Sequence, residues 1–391
     1  MLWPTTLREK PLIRCCTFAP LGLSVVSPGN HCVTPTLFFW SAMNRVEAIL
    51  KYCDRKGFGL EIAPYFSPIA PKREGFSVVV LDVFDTATLK SRALADPFIA
   101  KHRIDDIESV DVVGSATEIL ELLRAAGHLG KLDFIVSSHN FEHLPNPIKF
   151  LQGCYAALKP GGVLSMAVPD VRSCFDHFRA PTSLAEWLEA YFEDRKRPTP
   201  KQVFDGQFVR AHHYKKNQDQ PGLGCSLRYD KPDGFRAVED LDRFYTEWKR
   251  EIDHPSGAYT DCHCSTFFNY TMELMLRDLQ YLKLLDFEIL EITDPHYHEF
   301  FVHLKKSDAK PVAPDAFYAR RQDLLMKINQ SLGWSAFDRW HKTIPLINRP
   351  PIPSFGSRKS TAARIAAEGA RIKRRLQKYL KAGKPGDIRN P

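Results

Sequence analysis

A polar cluster of His139, Glu142 and His143 is the part of this sequence best suited to chemistry. A histidine titrates near neutral pH, so His139 or His143 could take a proton from a hydroxyl or amine nucleophile. If a helical turn begins here, the two histidines lie on one side of it, four residues apart, which is also the spacing of a metal-binding pair. No helix of the HExxH type is indicated, so we expect no metal here. The alternative to catalysis is a structural role, in which the cluster fixes a loop.

Residues 261–264, DCHC, are the second place with metal-ligating side chains. A tetrahedral site would need further ligands, such as His212 or His254, and the regular spacing of a zinc knuckle is missing. We therefore expect no metal at this segment either. His263 is expected instead to line the wall of an active site, just before a long helix.

Carboxylates stand where apolar runs end, a position that suits ligand binding. Asp82 follows the run 76–81, and a carboxylate there can accept hydrogen bonds from both hydroxyls of a ribose, as in dinucleotide-binding folds. Asp85, three residues on, competes for the same role. Glu61 ends a first apolar run and could hydrogen-bond a bound water. The alternative role for Asp82 or Asp85 is a helix cap.

The elements that must position these residues begin with a strand–helix–strand unit. Apolar runs at 132–136 and 163–168 are of the buried-strand type, and residues 147–158 between them have helical spacing. Such a unit implies a parallel sheet. In parallel sheets ligands bind beyond the carboxyl ends of the strands, which here are residues 138–143 and 169–170.

Further elements extend this unit into an open α/β sheet. Strands are predicted at Phe58–Ile62, 76–81 and 107–113, with helices at Thr86–Ala95 and 116–126. Later in the chain, strands predicted at Phe287–Ile292 and 300–304 are separated by seven residues. A parallel connection needs about a dozen residues or more, so the last strand is expected to run antiparallel to its neighbour.

The motifs DFIVSSHNFEHLPNP (residues 133–147) and LKPGGVLSMAVPD (158–170) resemble those of class I S-adenosylmethionine-dependent methyltransferases, in particular the small-molecule, type 11-like domains. The resemblance extends more weakly over residues 58–305. It implies an α/β fold with a Rossmann-like, seven-stranded, mostly parallel sheet, an antiparallel last strand and helices on both faces. It also implies S-adenosyl-L-methionine as cofactor. Residues 171–262 interrupt the pattern and are interpreted as an inserted cap over the active site.

The resemblance implies roles for the residues at the strand ends. The implied cofactor-binding residues are Glu61, Ala63, Pro64, Asp82, Asp111, Val112, Ser137, Ser138 and His139. Glu61 would hold the methionine ammonium group and Asp82 the ribose. Asp111 and Val112 would contact the adenine. His139 and His143 are the catalytic candidates, and the residues assigned to substrate contact are Asp170, Arg172, His177 and His263.

Ala63 departs from the family pattern, which has a glycine at this turn so that the backbone can approach the methionine part of the cofactor. A negative φ at Ala63 would tolerate the methyl group, whereas a positive φ would strain or inactivate the site. The expected function is methyl transfer to a small-molecule or saccharide acceptor by direct in-line displacement. Ala63 favours the alternative, a catalytically inactive methyltransferase-like binding or scaffold protein. Nicotinamide-dependent oxidoreduction is disfavoured, because no GxGxxG motif follows a predicted strand.

The distribution of charge restricts the expected binding partners, and the cysteine content indicates the cellular compartment. The 391 residues carry a net charge of +8, but residues 356–391 hold eleven Lys or Arg and two acids, so the rest of the chain carries only −1. Nucleic-acid substrates are therefore disfavoured, while the basic tail could contact an anionic membrane surface. Nine cysteines at irregular spacing indicate free thiols in a reducing compartment, and hence a cytoplasmic protein.

The patterns also suggest a division of the chain. Residues 1–42 are interpreted as a disordered extension or a misassigned start, and residues 43–305 as the methyltransferase domain with its cap at 171–262. Residues 306–344 are expected to form a C-terminal helical extension, and residues 345–391 a proline-rich linker and a basic helical tail. The oligomeric state is left open.

Overall fold

The structure, a computed structural model, covers the central part of the chain. The described ranges are 44–97, 99–213, 235–237, 240–255, 259–307 and 312–332. The predictions for residues 1–42 and for 345–391 lie outside them, as does the end of the predicted helical extension. Described residues up to Ile328 belong to one compact unit, and a second unit begins at Asn329.

Mainly apolar runs form the strands of the described residues. They are β1 (Phe58–Ile62), β2 (Ser77–Asp82), β3 (Val112–Val113), β4 (Leu132–Ser138), β5 (Leu158–Pro169), β6 (Ala211–His213), β7 (Phe235–Ala237), β8 (Phe287–Ile292) and β9 (Glu299–Lys306). One sheet has seven strands in the order β3-β2-β1-β4-β5-β9-β8. Strands β1 to β5 pair in parallel, and β9 pairs antiparallel with both β5 and β8. The predicted fold class, including the antiparallel last strand, is confirmed.

Helices cover both faces of this sheet. The described α-helices are α1 (Arg45–Ile49), α2 (Thr86–Ala95), α3 (Ile119–Ala125), α4 (Pro147–Ala157), α5 (Leu184–Phe192), α6 (Pro200–Phe208), α7 (Leu241–Asp253), α8 (Asn269–Tyr281) and α9 (Pro314–Ser331). Successive side chains of β4 alternate between two cores: Ile135 enters the main core with α4, whereas Phe134 and Val136 enter a second core with Ile49 of α1. Because both faces are buried, the central strands are apolar almost throughout.

Two strand boundaries differ from the prediction. Strand β5 begins at Leu158, so residues 159–162 (KPGG) lie inside the strand instead of before it. Its pairing with β4 shifts register between Leu132 and Phe134, and Gly161 adopts a φ of 84° that favours glycine. Strand β3 is shorter than the predicted strand over 107–113, and the Val110 N–H donates to Thr86 Oγ1 (2.9 Å) instead of to a neighbouring strand.

Helix α6 is an element that the sequence patterns above do not predict. Its signal is a capping box: the Gln202 N–H donates to Thr199 Oγ1 (3.2 Å), and the Thr199 N–H donates to Gln202 Oε1 (2.9 Å). Pro200 occupies the first turn, where proline is tolerated. Together with α5, α7 and the β6–β7 hairpin, α6 fills the region between β5 and α8 that was interpreted as a cap.

The described cysteines are free thiols, as predicted; they are Cys53, Cys154, Cys174, Cys262 and Cys264. No helix in the described part of the chain is long and apolar enough to cross a membrane.

Candidate active site

The strand order reverses between β1 and β4, and this switch point is where open α/β sheets bind ligands. The last residue of β1, Ile62, is in register with Ser137 near the end of β4. The turn after β1, with Ala63, therefore faces the turn after β4, with His139. These two turns, which carry predicted cofactor-binding residues, therefore meet at the edge of the sheet where the parallel strands end.

Ala63 has a φ of 49°, in the left-handed region that favours glycine. A non-glycine residue in this conformation costs roughly 1–2 kcal/mol. The Ala63 N–H donates to the Leu81 carbonyl (2.8 Å), and the side chain packs against the main core. The turn thus keeps the backbone conformation of a glycine turn, and the packing of its neighbours maintains the strain.

Glu61 is buried at the end of β1, and both of its oxygens accept backbone hydrogen bonds. The Ile69 N–H donates to Oε1 (2.5 Å) and the Ala70 N–H donates to Oε2 (3.0 Å). Burial raises the pKa of Glu61 to about 7, although these hydrogen bonds act in the opposite direction. Glu61 therefore anchors the loop that leaves β1, in addition to any contact with a bound ligand.

The two competing aspartates have different environments. Asp82 is buried at the end of β2, where its Oδ1 accepts from the Phe84 N–H (3.1 Å). Burial raises the pKa of Asp82 to about 6, against the effect of backbone hydrogen bonds. Asp85 instead caps α2, with its Oδ1 accepting from the Thr88 N–H (2.7 Å). Asp85 has the helix-cap role that was the alternative reading for both residues.

Asp111 and Val112 lie where β3 begins, beside the end of β2. Oδ2 of Asp111 accepts from the Val80 N–H (2.7 Å) and pairs with Lys72 Nζ (2.6 Å). Val112 is in register with Leu81. The predicted adenine-binding pair is thus adjacent to Asp82, but one oxygen of Asp111 is already engaged by the protein.

A network joins the end of β4 to α1 and β9. Arg45 donates through Nη2 to Ser138 Oγ (2.7 Å) and through Nε to Glu299 Oε1 (2.6 Å). His139, with a φ of 49°, places Nε2 at 2.9 Å from Glu299 Oε2. Burial opposes ionisation of Glu299, but His139 and Arg45 outweigh it and hold the pKa of Glu299 well below its usual range. Ser137 is buried and accepts from Asn140 Nδ2 (3.2 Å).

Three histidines surround the fully buried carboxylate of Glu142. Its Oε1 lies 3.5 Å from His139 Nδ1, 3.8 Å from His143 Nε2 and 3.8 Å from His263 Nε2. Burial opposes ionisation of Glu142, yet the histidines outweigh it and the pKa of Glu142 is lowered. The predicted cluster of His139, Glu142 and His143 therefore exists in space, and His263 joins it from a distant part of the chain.

Two aspartates hold the outer sides of these rings. His143 Nδ1 lies 2.8 Å from Asp261 Oδ1, and His263 Nδ1 lies 2.5 Å from Asp176 Oδ2. Asp176 is itself paired with Arg179 at 2.8 Å. We name Glu142, His143 and His263, with Asp261 and Asp176 behind the rings, the Glu142 cluster.

The other residues assigned to substrate contact form a separate network at the end of β5. Arg172 donates to the buried Asp170 through Nε (2.9 Å) and Nη2 (2.6 Å), and its guanidinium lies over the Phe268 ring at 4.2 Å. His177 Nδ1 lies 3.0 Å from the Arg172 carbonyl oxygen. Asp170, Arg172 and His177 are thus brought together, whereas His263 belongs to the Glu142 cluster.

Sequence reasoning missed Arg45 and Glu299 as site residues, and it did not connect Asp176 with His263. Glu299 is 160 residues from His139, and Asp176 is 87 residues from His263. No local pattern connects residues so far apart. Asp261 could be singled out from the sequence, because it directly precedes the potential metal ligands of the CHC motif.

Comparison of the sequence with known proteins finds similarity to methyltransferases. Residues 48–215 match the sequence model of a family described as a methyltransferase domain. A segment of 64 residues is 36% identical to a ubiquinone biosynthesis O-methyltransferase of Actinobacillus pleuropneumoniae serotype 5b (strain L20). That segment is 16% of this chain and 27% of the relative, so the match spans about a quarter of the curated protein.

Similar solved structures include two proteins described as SAM-dependent methyltransferases. One, from Methanosarcina mazei, is 14% identical with a TM-score of 0.33, over 66% of this chain and 96% of that one. The other, from Aquifex aeolicus, is 13% identical with a TM-score of 0.30, over 67% and 90%. The strand order of the seven-stranded sheet by itself identifies the Rossmann-like fold.

Proposed function

Since residues 48–215 match the family of methyltransferase domains, we propose that this chain transfers a methyl group from S-adenosylmethionine to a small-molecule or saccharide acceptor by direct in-line displacement. The observation that carries the proposal is the pair of Asp82 and Ala63. Asp82 is a buried carboxylate at the end of β2, and it lies beside the left-handed turn at Ala63, which follows β1 at the switch point. A nucleic-acid acceptor is disfavoured by the near-neutral charge of the chain outside its tail.

Asp82 is the residue proposed to hold the ribose of S-adenosylmethionine. A carboxylate can accept about four hydrogen bonds, so the contact with Phe84 leaves capacity for two ribose hydroxyls. Two donated hydrogen bonds would also favour the charged form of a carboxyl group whose pKa burial has raised to about 6. Asp82 therefore suits the ligand chemically as well as by position.

The sulfonium of the bound cofactor supplies an electrophilic methyl group, so the protein has to align the acceptor, exclude water and receive one proton. His139 is the better placed of the two predicted bases, because it directly follows β4 at the switch point, whereas His143 faces into the Glu142 cluster. The imidazolium formed when His139 takes the proton of the acceptor would be stabilised by Glu299, at 2.9 Å, and by Glu142, at 3.5 Å.

Two features support the choice of acceptor. The 36% identical segment comes from a protein named as an O-methyltransferase, which favours oxygen as the atom methylated. Arg172, held by Asp170 over Phe268, offers a planar cationic group near the end of β5 for a polar acceptor.

Calorimetric titration with S-adenosylhomocysteine tests the cofactor site. We expect saturable binding with a free energy on the order of −5 to −8 kcal/mol. Asp82→Ala should weaken the affinity at least about tenfold, because ribose hydrogen bonds to a buried carboxylate are lost. Asp85→Ala is the matched control: it removes a helix cap three residues away and should leave the affinity unchanged. The reverse ranking of the two variants would move the ribose role to Asp85.

The second candidate function is a methyltransferase-like binding or scaffold protein without catalysis, and the left-handed φ of Ala63 is the observation that favours it. Such a protein would give neither heat nor a thermal shift with millimolar S-adenosylhomocysteine. An active enzyme would also release S-adenosylhomocysteine when supplied with S-adenosylmethionine and an accepted hydroxyl compound, and His139→Asn should slow that release even at saturating S-adenosylmethionine.

A further inference from the structure

The Glu142 cluster has the composition and geometry of a metal site, although the local sequence patterns predicted none. We propose that Glu142, His143 and His263 bind one divalent transition-metal ion, zinc or ferrous iron. One carboxylate oxygen of Glu142 and one ring nitrogen of each histidine all lie within 4.8 Å of one another. The proposal rests on this geometry and does not require that the chain transfer methyl groups.

The hydrogen-bonding pattern of the cluster calls for a cation. A carboxylate can only accept, so Nδ1 of His143 and Nδ1 of His263 carry the protons that Asp261 and Asp176 accept. In the neutral rings this turns the acceptor nitrogen, Nε2, toward Glu142. Glu142 has no exposed surface, and neither of its oxygens accepts a hydrogen bond of normal geometry. Three acceptors thus face one another in a buried place, an arrangement that a bound cation would stabilise.

The distances fit coordination better than direct hydrogen bonding. Both contacts from Glu142 Oε1 to Nε2 of His143 and of His263 are 3.8 Å, which is too long for a hydrogen bond. Tetrahedral ligands at bond lengths of about 2.1 Å stand roughly 3.4 Å apart. A small inward movement of side chains would therefore close the three atoms around an ion.

The surroundings of the two rings are those of metal ligands. A histidine that binds a metal usually donates its second N–H to a carboxylate, which fixes the tautomer and the ring orientation. Asp261 does this for His143, and Asp176, paired with Arg179, does it for His263. Helix ends and loops from three distant parts of the chain thus converge to orient one small site.

The ligand set narrows the choice of ion. Two histidines and one carboxylate hold zinc in hydrolytic enzymes and ferrous iron in the facial-triad sites, in each case with open coordination positions. Magnesium and calcium prefer oxygen ligands and are disfavoured. An open position would let the ion bind an oxygen of the acceptor, and His139, outside the three-ligand set, would keep the role of base.

Metal analysis of the full-length protein is the test. The purified chain, loaded with Zn²⁺ or anaerobically with Fe²⁺ and then desalted, should retain about one ion per chain by elemental analysis. Loading with Co²⁺ should produce the visible absorption bands of a low-symmetry site. His143→Ala and His263→Ala should each abolish retention, while His102→Ala, which alters an exposed histidine outside the cluster, should leave it intact.

Folding of each variant is checked separately by circular dichroism and by thermal melting without metal. Addition of Zn²⁺ should raise the melting temperature of the wild-type chain and of His102→Ala, but not that of the cluster variants. If a cluster variant does not fold, Glu142→Gln, which keeps the volume of the side chain, replaces it. A folded wild-type chain that retains neither ion and melts at the same temperature with and without them would overturn the proposal, whatever its methyltransferase activity.

Discussion

At the scale of single residues, the turn at Ala63 shows how a family glycine can be replaced. The left-handed φ of 49° is retained, so the backbone follows the course that a glycine would allow. The extra methyl group packs against the main core. Strain alone, at roughly 1–2 kcal/mol, is too small to abolish ligand binding of the strength expected here.

Ala63→Gly is therefore expected to raise the free energy of unfolding by about 0.5 kcal/mol, since relief of strain exceeds the entropy gained by the unfolded chain. The same substitution at Ala87, an exposed position in α2, should instead lower it by up to about 1 kcal/mol. Urea denaturation of both variants measures the difference. A loss of stability in Ala63→Gly as large as that in Ala87→Gly would show that the turn is not strained.

Glu61 makes stability depend on pH, because its pKa is raised by burial to about 7 in the folded protein from an ordinary 4.5. The folded state therefore holds the proton more tightly than the unfolded state. The stability from this group is complete below pH 4.5 and is lost as the pH rises through 7, by up to about 3 kcal/mol.

The measurement compares the wild-type protein with Glu61→Gln by denaturant unfolding between pH 4.5 and 8. Glutamine does not titrate, so the wild-type protein should lose stability relative to the variant as the pH rises. Buried histidines elsewhere affect both proteins equally and cancel in the difference. Parallel curves across this range would contradict the raised pKa of Glu61.

At the scale of elements, the region between β5 and α8 is docked on the β4 turn through α5. Trp187 of α5 is buried, its Nε1 donates to Ser265 Oγ (3.0 Å), and its ring packs edge-on against Phe141. The Ser265 N–H also donates to the Glu142 carbonyl (3.1 Å). The loop that carries His263 is thereby fixed beside Glu142.

Trp187→Ala should lower the free energy of unfolding by about 3–5 kcal/mol, because a large aromatic side chain leaves a cavity in the main core. Phe192→Ala in the same helix is the matched control: this ring is 78% exposed, and its loss should change stability by less than about 0.5 kcal/mol. Thermal or urea unfolding distinguishes the two. Similar small effects in both variants would mean that α5 is not docked as described.

Local patterns predicted the sheet because strands and their turns are signalled by neighbouring residues. The apolar runs, the strand–helix–strand spacing and the short link between the last two predicted strands all lie within short stretches. The partners of the histidines do not, since Asp261 is 118 residues from His143 and Glu299 is 160 residues from His139. Only the folded chain brings these charges together. Helix α6 was missed for another reason. Its capping box lies next to a basic, proline-rich stretch, and that composition did not indicate a helix.

At the scale of the whole molecule, the net charge is divided unevenly between the tail and the rest of the chain. Residues 356–391 carry +9, and the remainder carries −1. We propose that the tail binds anionic membrane surfaces, to which each basic residue contributes about 1 kcal/mol near the lipid.

Removal of residues 356–391 should leave the affinity for S-adenosylhomocysteine unchanged, because the predicted cofactor site lies entirely within residues 61–139. The same truncation should abolish sedimentation with vesicles that contain phosphatidylserine, whereas neutral vesicles should bind neither protein. A shortened chain that binds anionic vesicles as well as the full chain would place the attraction elsewhere.

The ion pair between Arg45 and Glu299 also bears on biosynthesis, because its two members are 254 residues apart. A ribosome adds about 5–20 residues per second, so roughly 13–50 s pass between the synthesis of one and of the other. Until that interval ends, the nascent chain lacks β9, whose first residue, Glu299, pairs with both Arg45 and His139. Ligand affinity is therefore among the last properties that a newly made molecule acquires, and a translation product that stops short of β9 should have none.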